Sequence, residues 1–199
     1  KVDELSLERL SKYVISTLET LETSGKLIIM GISWGALLAS TIAAVYPDRV
    51  DKLILGSPIS DMQMSYKEDD NLEKVDSEMK KDFMNVSGGK TGYDIFMKSK
   101  CINPNAYISY ANYFGKKSPS PHSISNILSL IRCKTLIIYG KKDTVNSLED
   151  SVIVANGILN SILIEMDDCA HLPMVTKPSE FNNIVLKFLT SDVQEESSF

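Results

Sequence analysis

Apolar residues recur along this chain with two different rhythms. From Leu5 to Leu21 they return every three or four positions (Leu7, Leu10, Val14, Leu18, Leu21), with Glu8, Arg9, Lys12 and Glu19 between them. That spacing predicts an amphipathic helix, capped by Ser6 or Asp3 and ended by Ser24-Gly25. Leu27-Ile28-Ile29-Met30 is instead continuously apolar and predicts a buried strand. After a turn at Gly31-Ile32-Ser33-Trp34-Gly35, an Ala- and Leu-rich helix runs from Ser33 to about Tyr46 and is closed by Pro47. Lys52 to Gly56 is a second short strand, followed by the turn signal Ser57-Pro58. The alternation resumes with a strand at Thr135–Gly140, a helix at Ser147–Leu159 and a strand at Ser161–Met166. A last helix, Pro178–Leu189, carries Phe181, Ile184, Val185 and Phe188 on one face.

Continuously apolar strands alternating with helices predict an α/β fold: a predominantly parallel sheet flanked by helices. Residues 1–58 and 132–199 form this core. Residues 59–131 have a different texture, rich in Met, Lys, Asp and Asn. They read as a helical cap insertion, with helical pieces around Leu72–Val86, Asp94–Lys100 and Pro104–Phe114, broken by Gly88-Gly89 and Ser118-Pro119-Ser120-Pro121. The insertion leaves the sheet at its C-terminal edge, where open α/β sheets gather their binding residues.

Composition narrows the function classes. The 199 residues are 43% hydrophobic and 24% charged, enough for one globular domain with a substantial core. A net charge of -5 with no basic patch argues against nucleic acid or anionic membrane as a partner. No apolar run is long enough to span a bilayer. Cys101, Cys133 and Cys169 are odd in number and widely spaced, which fits a reducing, cytoplasmic interior better than a disulfide framework. There is no metal-ligand cluster and no phosphate-cradling loop, so neither a metal nor another cofactor is expected.

The candidate chemistry centres on Ser33. It sits in a G-x-S-x-G run between a strand and a helix, where the glycines at 31 and 35 are expected to avoid clashes in a sharp turn. Such a turn lifts the Ser33 hydroxyl above the sheet and aims the next helix's first N–H groups at the same space. The plainer alternative is a helix N-cap serine. A serine nucleophile needs a base, and histidine is the usual one. The chain has two, His122 in the insertion and His171 just after the fourth strand. Asp143, just after the third strand, can orient His171; Asp61, after the second strand, is the rival. Ser33, Asp143 and His171 each follow a different strand, in the chain order of an α/β-hydrolase triad.

These residues resemble the α/β-hydrolase fold family. The resemblance rests on Gly31-Ile32-Ser33-Trp34-Gly35, Tyr46-Pro47-Asp48-Arg49-Val50, Tyr139-Gly140-Lys141-Lys142-Asp143, and Ala170-His171-Leu172-Pro173 followed by Pro178 and Phe181. It implies a nucleophile at Ser33, an acid at Asp143, a base at His171, an oxyanion donor at the Trp34 backbone N–H, and a cap over the site. Trp34 after the serine is similar to the prolyl-iminopeptidase-like and carboxylesterase branch; the haloalkane dehalogenase branch has Asp where this chain has Ser33. The expected activity is a carboxylesterase-like serine hydrolase acting on a small-molecule acyl substrate. The alternatives are an aminopeptidase or thioesterase variant, or a catalytically impaired ligand- or partner-binding protein on a hydrolase scaffold.

The family places several strands and a second oxyanion donor before the strand that leads to the nucleophile, and this sequence shows one helix there. A missing N-terminal segment or chain, a homo-oligomer, or a reduced domain would each account for that. Other polar residues have plainer readings. Asp167 and Asp168 read as turn residues and Cys169 as a small buried residue. The acidic run Glu68-Asp69-Asp70 with Glu73, Asp76 and Glu78 reads as a solvated helix face.

Overall fold

The structure, a computed structural model, describes residues 6–61 and 123–191. The helical pieces expected between Leu72 and Phe114, the acidic run and His122 lie outside the described residues. Element by element, the chain forms α1 (Leu7–Thr20), β1 (Leu27–Ile32), α2 (Trp34–Val45), β2 (Val50–Gly56), β3 (Lys134–Gly140), α3 (Leu148–Gly157), β4 (Ser161–Met166), α4 (Pro173–Thr176) and α5 (Pro178–Thr190). Local chemistry sets several boundaries. The Ser6 hydroxyl accepts the Arg9 N–H at 3.3 Å and caps α1. Ser147 caps α3 by accepting the Asp150 N–H at 3.1 Å. Pro178 opens α5, where a missing N–H costs no helical bond.

The four strands pair in the order β1-β2-β3-β4, and every pair is parallel. Ile32 lies beside Gly56, Gly56 beside Ile138, and Ile138 beside Ile164. The C-terminal ends of the strands therefore form one row, and the loops that follow them leave from one edge.

Helices cover both faces. On one face α1 and α2 pack with Leu53, Leu55 and Ile137, and α2 is apolar nearly all round because it is buried nearly all round. Ile124, Leu128 and Ile131, from the stretch read as insertion, also belong to this core. On the other face Phe181, Val185 and Phe188 of α5 pack against Ile54, Leu136 and Ile138. Burying each such side chain stabilises the fold by about 1.5–3 kcal/mol.

Lys52 points into this second layer, where its ammonium donates to the Leu189 carbonyl at 2.9 Å and lies over the Phe188 ring. It thereby ties the end of α5 to β2. Ile28 and Met30 of β1 lie on the same face but remain 55% and 46% exposed. Among the described residues, β1 has a neighbouring strand on one side only.

Candidate active site

Ser33 sits between β1 and α2 with φ 53° and ψ -121°, a backbone conformation unfavourable for any residue with a side chain. The turn is held by the Ser33 N–H, which donates to the Gly56 carbonyl at 2.8 Å, and by the Ala36 N–H, which donates to the Ser33 carbonyl at 2.9 Å. A Cβ at Gly31 would collide with the Gly35 carbonyl and the Ala39 methyl, so the close approach of β1 to α2 requires glycine there. Gly35 differs from expectation. A Cβ there meets nothing within 4 Å, because this residue already lies on the outer side of the first turn of α2.

The N-cap reading of Ser33 fails on geometry: its side chain makes no capping bond. The hydroxyl instead lies 2.9 Å from His171 Nε2. The other ring nitrogen, Nδ1, lies 2.9 Å from Asp143 Oδ2. His171 is buried and the Asp143 side chain is 0% exposed. The structure thus brings Ser33, His171 and Asp143 together: the carboxylate bonded to His171 is that of Asp143, not of the rival Asp61, whose backbone forms a bridge with Ser123.

The carboxylate decides the tautomer. Asp143 Oδ1 accepts the Val145 N–H at 2.8 Å and the Asn146 N–H at 3.0 Å. Burial pushes the carboxyl's pKa up, but the bond and charge of His171 and these two N–H groups outweigh it and leave the pKa below the ordinary carboxylate value. An ionised carboxylate only accepts, so Nδ1 carries the proton and donates. Nε2 is then the acceptor facing the Ser33 hydroxyl.

Two loops carry this arrangement, and they are fitted closely. A Cβ at Gly140 would strike the backbone carbonyls of Cys169 and Ala170. The Lys141 N–H donates to the Met166 carbonyl at 3.0 Å and the Lys142 N–H to the Cys169 carbonyl at 2.8 Å. Outside, Lys141 pairs with Asp167 at 2.8 Å and Lys142 with Asp168 at 2.7 Å. The two lysines therefore face the exposed acids rather than Asp143, and Asp168 occupies a turn position with φ 51°. Cys169 is fully buried, and burial pushes its thiol up to about 11, so it stays protonated at neutral pH.

Trp34 is the first residue of α2, so its backbone N–H belongs to a first turn whose donors have no acceptor inside the helix. Two residues near the site were missed by the sequence reading. Asn146 is buried, and its amide donates to the Ser57 carbonyl at 2.6 Å. Asp150 Oδ1 receives the Ser60 N–H at 3.0 Å and the Ser60 hydroxyl at 2.7 Å. The Ser60 carbonyl in turn accepts the Ile124 N–H at 3.0 Å, so α3 holds both described stems of the stretch between 61 and 123.

No helix among the described residues is long and apolar enough to cross a membrane. The alpha/beta hydrolase fold family model matches residues 13–95. A 2-hydroxy-6-oxononadienedioate/2-hydroxy-6-oxononatrienedioate hydrolase of Burkholderia vietnamiensis is 25% identical, over 90% of this chain and 67% of its own. A pimeloyl-acyl-carrier-protein methyl ester esterase of Wigglesworthia glossinidia brevipalpis is 27% identical, over 82% of this chain and 70% of its own. A solved meta-cleavage product hydrolase from Pseudomonas fluorescens IP01 superposes with a TM-score of 0.74 and 20% identity, covering 94% of this chain and 72% of that one. The chain thus spans about two thirds of the length of the curated relatives it matches. Four parallel strands with helices on both faces, the family model matched over residues 13–95 and these relatives agree, and the chain has the α/β-hydrolase fold.

Proposed function

We propose that the chain carries the nucleophile, base and acid of a serine hydrolase that cleaves carboxylic esters of small molecules. The observation behind this reading is the pair of hydrogen bonds at His171, with Ser33 Oγ on one ring nitrogen and Asp143 Oδ2 on the other, both at 2.9 Å. Likeness to a methyl ester esterase supports the substrate class. In this reading the insertion that begins at residue 59 acts as the cap, and its last residues, Ile124, Leu128 and Ile131, belong to the core.

The reaction follows from the proton positions. Ser33 Oγ attacks the ester carbonyl carbon while His171 Nε2 takes the hydroxyl proton. The carbonyl oxygen becomes an oxyanion facing the Trp34 backbone N–H, a donor whose removal in comparable sites costs about 10²–10³ in rate. The imidazolium, stabilised by Asp143, gives its proton to the alkoxide as the carbon–oxygen bond breaks, which leaves an acyl group on Ser33. A water molecule then gives a proton to His171, attacks the acyl carbonyl and releases the acid, and the proton returns to Ser33. Asp143 remains ionised throughout.

A second reading, a ligand-binding protein on the same scaffold, is favoured by the exposure of Ile28 and Met30 on β1. Hydrolysis of p-nitrophenyl esters by the wild type and by Ser33→Ala separates the two. The serine hydrolase reading expects turnover that Ser33→Ala abolishes. Equal rates in the two proteins would remove Ser33 as nucleophile.

A further inference from the structure

Asp143 sits on a loop, and a loop residue holds a bond to an imidazole only if the loop itself is fixed. The bonds to Asp143 Oδ1 come from Val145 and Asn146, within the same turn, and by themselves they shape the turn without anchoring it. The Lys141 and Lys142 N–H groups tie the start of the loop to the Met166 and Cys169 carbonyls, and the anchor beyond Asp143 is the Asn146 side chain. It is buried, with 8% of the residue exposed, and its amide donates to the Ser57 carbonyl at 2.6 Å across 89 residues of sequence.

Ser57 is itself held. It is fully buried with φ 42°, and its N–H donates to the Ile138 carbonyl at 2.8 Å. It directly follows Gly56, whose carbonyl accepts the Ser33 N–H at 2.8 Å. A continuous path therefore runs from the turn that holds Asp143, through the Asn146 amide, to the strand end that holds Ser33. A residue in a strained left-handed conformation persists only where its surroundings fix it, and here the carbonyl of that residue receives the bond.

We infer that Asn146 is a positioning residue: its side-chain amide, bonded to the Ser57 carbonyl, registers Asp143 and hence the His171 ring against Ser33. The inference rests on the serine hydrolase reading for its consequence in rate, but its structural content stands apart. Removing the amide takes away the donor to the Ser57 carbonyl and releases the end of the Asp143 turn, so the Nδ1 bond loosens. Misplacement of a reacting group by about 1 Å costs on the order of 10²-fold in rate. Asn146→Ala is therefore expected to lower kcat by about 10–10²-fold with little change in KM.

The test has two arms. In the first, the proton on His171 Nδ1 is followed by NMR in the wild type, Asn146→Ala and the near-isosteric Asn146→Leu, with His171→Ala assigning the resonance. A far-downfield resonance in the wild type that broadens or moves upfield in whichever variant keeps its backbone amide spectrum supports the inference; an unchanged resonance overturns it. In the second, kcat is measured for Asn146→Ala, Asp143→Ala and the double variant. A residue acting through Asp143 adds no further loss once Asp143 is gone, whereas a general packing role gives additive losses and overturns the inference. If the wild type and Ser33→Ala turn over esters equally, the hydrolase reading fails, and the resonance alone decides the role of Asn146.

Discussion

A side chain on Gly140 would occupy the position of the Cys169 backbone carbonyl. The loop that carries Asp143 and the loop that carries His171 meet at this contact, backbone to backbone, with no flexible side chain to yield. Gly140→Ala is therefore expected to destabilise the fold by about 1–3 kcal/mol, as overpacking does, and to separate Asp143 from His171. Urea denaturation reads the first effect. A midpoint equal to that of the wild type would show that the two loops can part without cost.

The elbow offers a paired test. Gly31→Ala forces a methyl onto the Gly35 carbonyl and the Ala39 side chain and should cost a similar amount, about 1–3 kcal/mol. Gly35→Ala places its methyl in open space inside a helix, where alanine exceeds glycine by about 0.4–1 kcal/mol. The two substitutions should move the urea midpoint in opposite directions.

The elements were legible where burial on both sides of a strand leaves a continuous apolar run, as in Leu53–Leu55 and Thr135–Gly140; Leu27–Met30 is as apolar, yet Ile28 and Met30 stay exposed on one face. Because the strands are parallel, the residue just past each one reaches the same edge, so Ser33, Asp143 and His171 could be singled out before any coordinates. Gly35 misled because a G-x-S-x-G run does not say which glycine is crowded; only the direction of α2 does. Asn146 was invisible because its partner, Ser57, is 89 residues away and the loop around it has no periodicity. Lys52 was hidden in the same way, since this lysine at the head of an apolar run bonds a carbonyl 137 residues later. The four-residue α4, opened by Pro173, is too short to leave a periodic signal.

Asp143→Asn should separate orientation from charge. An amide can donate to Nδ1, which moves the ring proton to Nε2 and removes the acceptor for the Ser33 hydroxyl. Loss of the correct tautomer in this way costs on the order of 10⁴ in kcat. Steady-state ester hydrolysis measures it, and a loss of less than tenfold would mean that another group orients His171.

Acid stability follows from the same carboxylates. Burial raises the Asp150 pKa, but the bonds from Ser147 and Ser60 outweigh it, and the folded value lies below the ordinary one, as it does for Asp143. Both groups therefore bind protons less tightly folded than unfolded, and the unfolded chain takes up more protons in acid. Their stabilisation is complete above the ordinary carboxylate pKa of about 3.9 and is lost as pH falls through the lower folded values. Asp150→Asn should thus lower Tm near neutrality and lower it less at about pH 3, below the ordinary carboxylate pKa, where part of that stabilisation is lost. An equal drop at both pH values would show that the Asp150 charge contributes nothing.

The central claim is that Ser33 is a nucleophile activated by His171. A fluorophosphonate probe reports this directly, because it forms a covalent phosphonyl adduct with an activated serine whatever the natural substrate. Mass spectrometry of the digested protein should find the adduct on the peptide containing Ser33, absent in Ser33→Ala and formed far more slowly in His171→Ala. An unlabelled wild type, or a label that survives Ser33→Ala, would contradict the account.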